Sequence, residues 1–296
     1  MNFESYSEDR IGLINRYLDE NMNRFRSSVS LRFGPLLTSM QYSLEGGGKR
    51  LWPLLVVASA ECLGLPADSV LPAAIAMEYI HTYSLIHDDL PALDDDDTRR
   101  GRPSSHKKFG EAMAVLSGDA LLTEAFGHMV SLTTVGRYQP AQVLAAIDLL
   151  VQYAGVRGMV GGQVLDVTTE DLTYSLPELE FIHIHKTGAL ILGSVLLPTR
   201  LIPVEEIRLQ RLRRYGEALG LAFQISDDIL DAETSFRYSR GPRKKPKPSY
   251  AQVMGRTEMR EKLNRLIETA ITAIAPEGER GQPLVGIAEF IRDRKR

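Results

Sequence analysis

An all-α fold is what this sequence predicts, and three observations carry that expectation. Strand signals are nearly missing: there is no Asn-Gly or Asp-Gly pair and no sustained alternation of apolar and polar residues. Apolar residues recur instead at steps of three and four, the spacing of one helix face. At 296 residues, with 44% hydrophobic and 25% charged side chains, the chain can bury a large core.

The elements follow in order. Residues 7–27 place Ile11, Ile14, Leu18, Met22 and Phe25 on one face. Residues 51–64 (LWPLLVVASAECLG) are apolar almost all round, as in a helix buried on most sides, and Gly64 and Pro66 end it. Helical spacing continues over 69–90, 110–134, 140–157, 177–197, 204–233, 249–274 and 283–293, with Pro140 and Pro177 near two of the starts. No internal repeat or composition break divides the chain, so 1–296 reads as one bundle of about ten helices.

Composition excludes several functions. With 35 basic against 38 acidic residues, no positive field argues for nucleic acid. The single cysteine, Cys62, excludes a disulfide scaffold and fits a reducing compartment. The opening MNFESYSEDR is unlike a signal or transit peptide. No apolar run approaches the ~18 residues that span a bilayer, so a cytoplasmic protein without membrane insertion is expected.

Two segments interrupt the helical pattern. Residues 88–97, DDLPALDDDD, hold six carboxylates in ten positions, and 237–247, RYSRGPRKKPK, hold six basic residues and no acid. Its glycine and prolines make the stretch 237–248 a basic mobile loop.

Two carboxylates ~4 Å apart repel by ~4 kcal/mol at an effective dielectric of ~20, so packing Asp88, Asp89 and Asp94–Asp97 together calls for a cation or for protons. All-oxygen ligands suit Mg2+, completed by waters and phosphate; a solvated acidic loop is the plain alternative. A second cluster lies in LAFQISDDILDAE, where Asp227 and Asp231 are four apart on one helix face, with Gln224 a turn earlier. Unpaired buried carboxylates are costly, so this face either meets water or shares an ion with the first cluster.

Basic residues complete a phosphate-binding set. Gly46-Gly47-Gly48-Lys49-Arg50 lets backbone approach an anion just before a helix, without Walker spacing. Arg99-Arg100-Gly101-Arg102 follows the first acids, and Lys186-Thr187-Gly188 follows His183 and His185. His81 lies two turns before Asp88. Each alone is ordinary surface or core chemistry; acids with bases together imply a metal-bridged polyphosphate ligand.

At this point the chain resembles the trans-polyprenyl diphosphate synthase family, and most of all its bacterial farnesyl diphosphate synthases. LEGGGKRLWP, HTYSLIHDDLPALDDDDTRRGRPSSH, HKKFGEAMAVLSGDALL, GMVGGQVLDV, HKTGAL and FQISDDILD resemble the family's blocks in the family's order. The resemblance implies an all-α homodimer that condenses isopentenyl diphosphate head-to-tail with an allylic diphosphate. By position it implies Asp88, Asp94 and Asp227 as Mg2+ ligands, supported by Asp89 and Asp231, with three ions when substrate is bound. Arg99, Lys186 and Lys247 would hold the allylic diphosphate. Gly48, Lys49, His81 and Arg100 would hold isopentenyl diphosphate, and Thr187 and Gln224 would flank the allylic cation. Tyr83 and Ser84 would set product length, the tyrosine favouring farnesyl over geranylgeranyl diphosphate.

Two positions depart from the family pattern. Trp52 stands where the family carries a second arginine for isopentenyl diphosphate, and an indole cannot replace a guanidinium. The 237–247 loop is shorter and more basic than in relatives. Two further readings are a class I terpene cyclase, opposed by GGGKR and the second aspartate motif, and a weakened subunit that modulates an active synthase.

Overall fold

The computed structural model describes residues 2–168, 175–237 and 249–294, the side chains of 233–237 excepted. The basic segment 238–248, with Lys247, lies outside the described residues.

Helices account for nearly all of the structure, as the spacing predicts. They are α1 (Phe3–Ser28), α2 (Gly34–Leu44), α3 (Leu51–Cys62), α4 (Ala67–Asp88), α5 (Ser105–Phe109), α6 (Glu111–Ser131) and α7 (Pro140–Ala154). Then follow α8 (Met159–Thr168), α9 (Leu176–His183), α10 (Ala189–Leu196), α11 (Glu206–Arg237), α12 (Tyr250–Val253), α13 (Arg256–Ile274) and α14 (Gln282–Asp293). The apolar-all-round segment becomes α3, buried from Leu54 through Ala60 between α4 and α10. Its neighbour α4 is buried from Val70 to Tyr83 and lies against α6. These two form the centre of one continuous apolar cluster that also takes in α1, α11, α13 and α14. Each such fully buried Leu or Ile contributes about 1.5–3 kcal/mol by leaving water.

Six local features differ from the sequence expectation: the expected helix 249–274 breaks at Met254-Gly255 into α12 and α13, the short α5 has no sequence counterpart, and four others follow. Helix α2 was not expected, although Pro35 at its start and Leu37, Met40 and Leu44 along one face signal it. The expected helix 140–157 stops at Gly155, and α8 begins after a turn. The expected helix 177–197 is two helices joined by a π-helical turn, Ile184–Gly188. Thr98–Arg99 (β1) and Arg102–Pro103 (β2) make a small antiparallel hairpin, turned by Arg100 (φ 53°) and Gly101 (φ 76°). Both turn residues are left-handed, the geometry usually marked by Asn-Gly, so an Arg-Gly pair carries no hairpin signal in sequence.

Two stretches, Pro140–Thr168 and Leu176–Arg200, are long and apolar enough by composition to cross a membrane, which corrects the expectation that no run approaches that length. The first is interrupted at 155–158, and the second bends at the π turn and is mostly buried against α3, α7 and α11.

Candidate active site

Helix α4 delivers the first acids. It ends at Asp88, two residues before the Leu90-Pro91 pair, because the residue before a proline is pushed out of helical geometry. The chain then folds back on the helix end: the amides of Asp94 and Asp96 donate to the carbonyls of Asp88 (2.9 Å) and Asp89 (3.2 Å). Asp88 and Asp89 thus sit at the negative end of the helix dipole, where a carboxylate is disfavoured by about 0.3–1 kcal/mol unless a cation answers it.

For Asp89 that cation is Arg99. The carboxylate is 2% exposed and accepts from Arg99 Nε (3.0 Å) and Nη2. For Asp88 and Asp94, both half-buried, it is Lys186 on the π turn. Burial works against the Lys186 charge, yet the carboxylates of Asp88, Asp166 and Asp94 hold its ammonium above the ordinary lysine range. Lys186 Nζ also donates directly to Asp166 of α8, a residue the sequence reading did not single out.

Two glycines lock the π turn in place. A Cβ on Gly162 of α8 would lie 2.1 Å from Lys186 N, and one on Gly220 of α11 would lie 2.8 Å from Gly188 Cα. Both approaches need the missing side chain. With the turn clamped from two sides, Thr187 Oγ1 donates to Gln224 Oε1 (3.3 Å) on α11, and Gln224 Nε2 donates to Asp228 (2.9 Å). The π turn is therefore the bridge between the two acidic regions, and π turns recur at functional sites.

On α11 the aspartates divide their work. Asp227 and Asp231 are exposed; Asp228 is 7% exposed and accepts from Tyr250 N (2.6 Å), which ties α12 to α11. Burial pushes the Asp228 carboxyl up to about 6, against the pull of those hydrogen bonds. Asp227 accepts from Arg294 (3.1 Å) at the end of α14, and Lys49 lies in the same field. Arg294 was not picked out by sequence, and Asp228 was read only as a member of the second aspartate cluster, without a role of its own. Spacing gives Asp227 and Asp231 one face, but only packing shows which aspartate turns inward.

An all-oxygen set of half-buried and exposed carboxylates on two helix regions, each already answered by a cation, fits a bound divalent ion. Among the described residues, Asp95, Asp97 and His106 bring ligand atoms within 4.8 Å of one another, and none of the five expected ligands belongs to that group. Asp97 pairs with Lys107 (2.9 Å), and His106 Nδ1 lies 3.1 Å from Ser104 Oγ, so this group braces the hairpin.

Comparison with known proteins decides what this arrangement belongs to. A family model described as Polyprenyl synthetase matches residues 35–241. The chain belongs to the polyprenyl synthetase family. It is 40% identical to the farnesyl diphosphate synthase of Geobacillus stearothermophilus, over 95% of this chain and 98% of that one. It is also 40% identical to the large subunit 1 of a heterodimeric chloroplastic geranylgeranyl pyrophosphate synthase of Arabidopsis thaliana, over 99% of this chain and 80% of that one. Among solved structures, a geranyltransferase from Legionella pneumophila superposes with a TM-score of 0.89 at 30% identity, covering 99% and 97% of the two chains. The protein is a prenyltransferase.

The remaining expected residues of the prenyltransferase fall around α4. His81, two turns before Asp88, is 8% exposed and stacks on Trp52 at 3.8 Å. Burial, with Arg100, Arg99 and Arg50 nearby, pushes its imidazole down to about 3, so it is a neutral donor near pH 7. Arg100 donates to the Gly47 carbonyl and lies over Gly48, bringing the hairpin onto the glycine loop. Lys49 is exposed, with its ammonium 5.2 Å from the Phe290 ring centre. Tyr83 is 7% exposed and meets His87 edge-on at 5.7 Å; burial and Asp88 push its phenol up to about 12. Ser84 is half-buried and bonds back to the His81 carbonyl (2.9 Å).

Proposed function

We propose that this prenyltransferase condenses isopentenyl diphosphate head-to-tail with dimethylallyl or geranyl diphosphate and releases farnesyl diphosphate. The observation that carries the reading is the π turn: Lys186 faces Asp88 and Asp94 while Thr187 reaches Gln224 on the helix of Asp227. Acids and bases from distant segments converge as a metal-bridged diphosphate requires.

Asp88, Asp94 and Asp227 would hold Mg2+, with Asp231 in support; bound there, the ions, three with substrate present, would neutralise the diphosphate leaving group. Asp89 acts one step back, holding Arg99 toward the allylic diphosphate. Lys186, Arg99 and, from the basic loop, Lys247 add positive charge as the carbon–oxygen bond breaks. Thr187 and Gln224 present oxygens beside the allylic cation, and the apolar walls of α4, α6 and α10 keep water from it. The isopentenyl double bond then attacks, and the proton lost from the new chain passes to the departing diphosphate, so no dedicated base is needed. Lys49, Arg100, His81 and the Gly48 backbone hold the second diphosphate.

Relatives at similar identity bear farnesyl and geranylgeranyl names. Bulk decides between these products: Tyr83, buried beside His87, closes the floor at fifteen carbons. We take residues 1–296 as one catalytic domain of a cytoplasmic homodimer, supported by the outward apolar side chains Leu116 (54% exposed) and Leu144 (66%) on α6 and α7. Purified protein given Mg2+, isopentenyl diphosphate and geranyl diphosphate yields farnesyl diphosphate by chromatography, and Tyr83→Ala yields longer chains. An absence of any product longer than the allylic substrate refutes the reading; an unchanged length in Tyr83→Ala refutes the floor.

A further inference from the structure

A second group of possible metal ligands stands apart from the five expected ones. Asp95 and Asp97, at the end of the first acidic run, and His106 on α5 each bring one ligand atom within 4.8 Å of the others. Acidic residues alone are ordinary at a surface; the histidine sets this group apart. His106 is 5% exposed, and its Nε2 is buried without a hydrogen-bond partner. A buried polar atom left unpaired is costly, and a bound ion is one of the few things that answers it.

The surroundings of the ring are those of a prepared ligand. His106 Nδ1 lies 3.1 Å from Ser104 Oγ, and Ser104 is 1% exposed. With the ring proton on Nδ1 and donated to that hydroxyl, Nε2 presents a lone pair, which is how metal-bound histidines are usually held. The Ser104 amide donates to the Asp97 carbonyl (2.9 Å), so the backbone that carries one carboxylate is tied to the residue that orients the imidazole. Asp95 stands in left-handed backbone (φ 50°), its amide donating to the Leu90 carbonyl (3.1 Å). Metal–ligand bonds of about 2.1 Å put tetrahedral ligand atoms about 3.4 Å apart, so these three need close by no more than about 1.4 Å. Asp97 can supply that movement: its side chain is 62% exposed and that of its partner Lys107 is 41% exposed, a surface ion pair that yields readily.

We propose that Asp95, Asp97 and His106 form a second cation site, one that takes a divalent transition metal and prefers Zn2+ to Mg2+. Imidazole suits Zn2+, whereas Mg2+ favours all-oxygen sets and keeps its waters. Place in the chain gives the ion a task. Two ligands precede the β1–β2 hairpin and one follows it, so a shared ion closes the two ends of the hairpin that carries Arg99 and Arg100. It is a structural clamp, distinct from the Mg2+ sites of the condensation, and it does not depend on that reading.

The test is Zn2+ binding in the absence of any diphosphate, by calorimetry and thermal melting. The protein is the full chain carrying Asp88→Asn and Asp227→Asn, so that the expected Mg2+ ligands do not compete. One Zn2+ binds per chain, at least about tenfold more tightly than Mg2+, and raises the melting temperature by several degrees. Adding His106→Gln or Asp97→Asn weakens Zn2+ binding by about tenfold or more and abolishes the rise. Asp97 lies at the surface, so Asp97→Asn decides the matter if His106→Gln folds poorly. No Zn2+ bound to the parent, Mg2+ bound as tightly, or an affinity unchanged by either substitution in protein of native circular dichroism overturns the proposal. No substrate takes part, so these outcomes leave the condensation reading where it stands.

Discussion

Single residues in this protein carry charge states set by their surroundings. His128 on α6 is 7% exposed, meets Tyr79 edge-on at 4.9 Å, and is pushed down to about 4 by burial with Arg24 nearby. The unfolded chain would bind a proton there near pH 6.5 and the folded chain only near 4. Between those values the unfolded state holds more protons, so stability is full above pH 6.5 and falls as pH drops toward 4. The shift corresponds to about 3 kcal/mol of stability. Urea unfolding at pH 7 and pH 4.5 should show a smaller loss in His128→Gln than in wild type; parallel losses count against this assignment. At the site, the Lys186 ammonium lies in the field of Asp88 and Asp94, a pairing of residues nearly a hundred positions apart that no local pattern displays.

Among the elements, the π turn matters most. HKTGAL carries the residues expected of a phosphate-binding segment, yet helical spacing predicts an unbroken helix through it. The extra residue in the turn is made possible by neighbours: α8 and α11 approach so closely at Gly162 and Gly220 that a methyl group has no room. Gly220→Ala should push the turn away from α11, separating Thr187 from Gln224. A displacement of about 1 Å at a catalytic group can cost about a hundredfold in rate. We expect kcat to fall to that order with folding retained, as measured by steady-state kinetics beside circular dichroism; unchanged kcat would show that the turn does not set the geometry. Elsewhere, the length and apolar character of α3 and α4 were plain from sequence, because a helix buried on all sides needs no partner-specific pattern. Helix α2 and the Arg-Gly hairpin were not read: the first is short, and the second uses a turn pair outside the usual signature.

At the scale of the whole molecule, the bundle joins the acid end of α4 to the aspartates of α11 through one turn. Ligand that spans both should stabilise the entire fold by mass action, about 2.7 kcal/mol at a hundred times its dissociation constant. Mg2+ with the unreactive thio-analogue of dimethylallyl diphosphate should raise the melting temperature by several degrees, and chelation should reverse it. Asp88→Ala and Asp227→Ala should each abolish that rise; a rise that survives both substitutions would separate the two acidic regions functionally.

By itself the sequence determined the helical class, the two aspartate regions and the basic residues that accompany them, because periodicity and local charge density are properties of neighbours along the chain. Only the tertiary structure decided that Asp228 turns inward while Asp227 stays open, that Asp89 belongs to Arg99 and Asp166 to Lys186, and that Arg294 reaches the site from the end of the chain. Those pairings are set by how helices pack, and packing brings together side chains whose separation in sequence carries no signal of their distance in space.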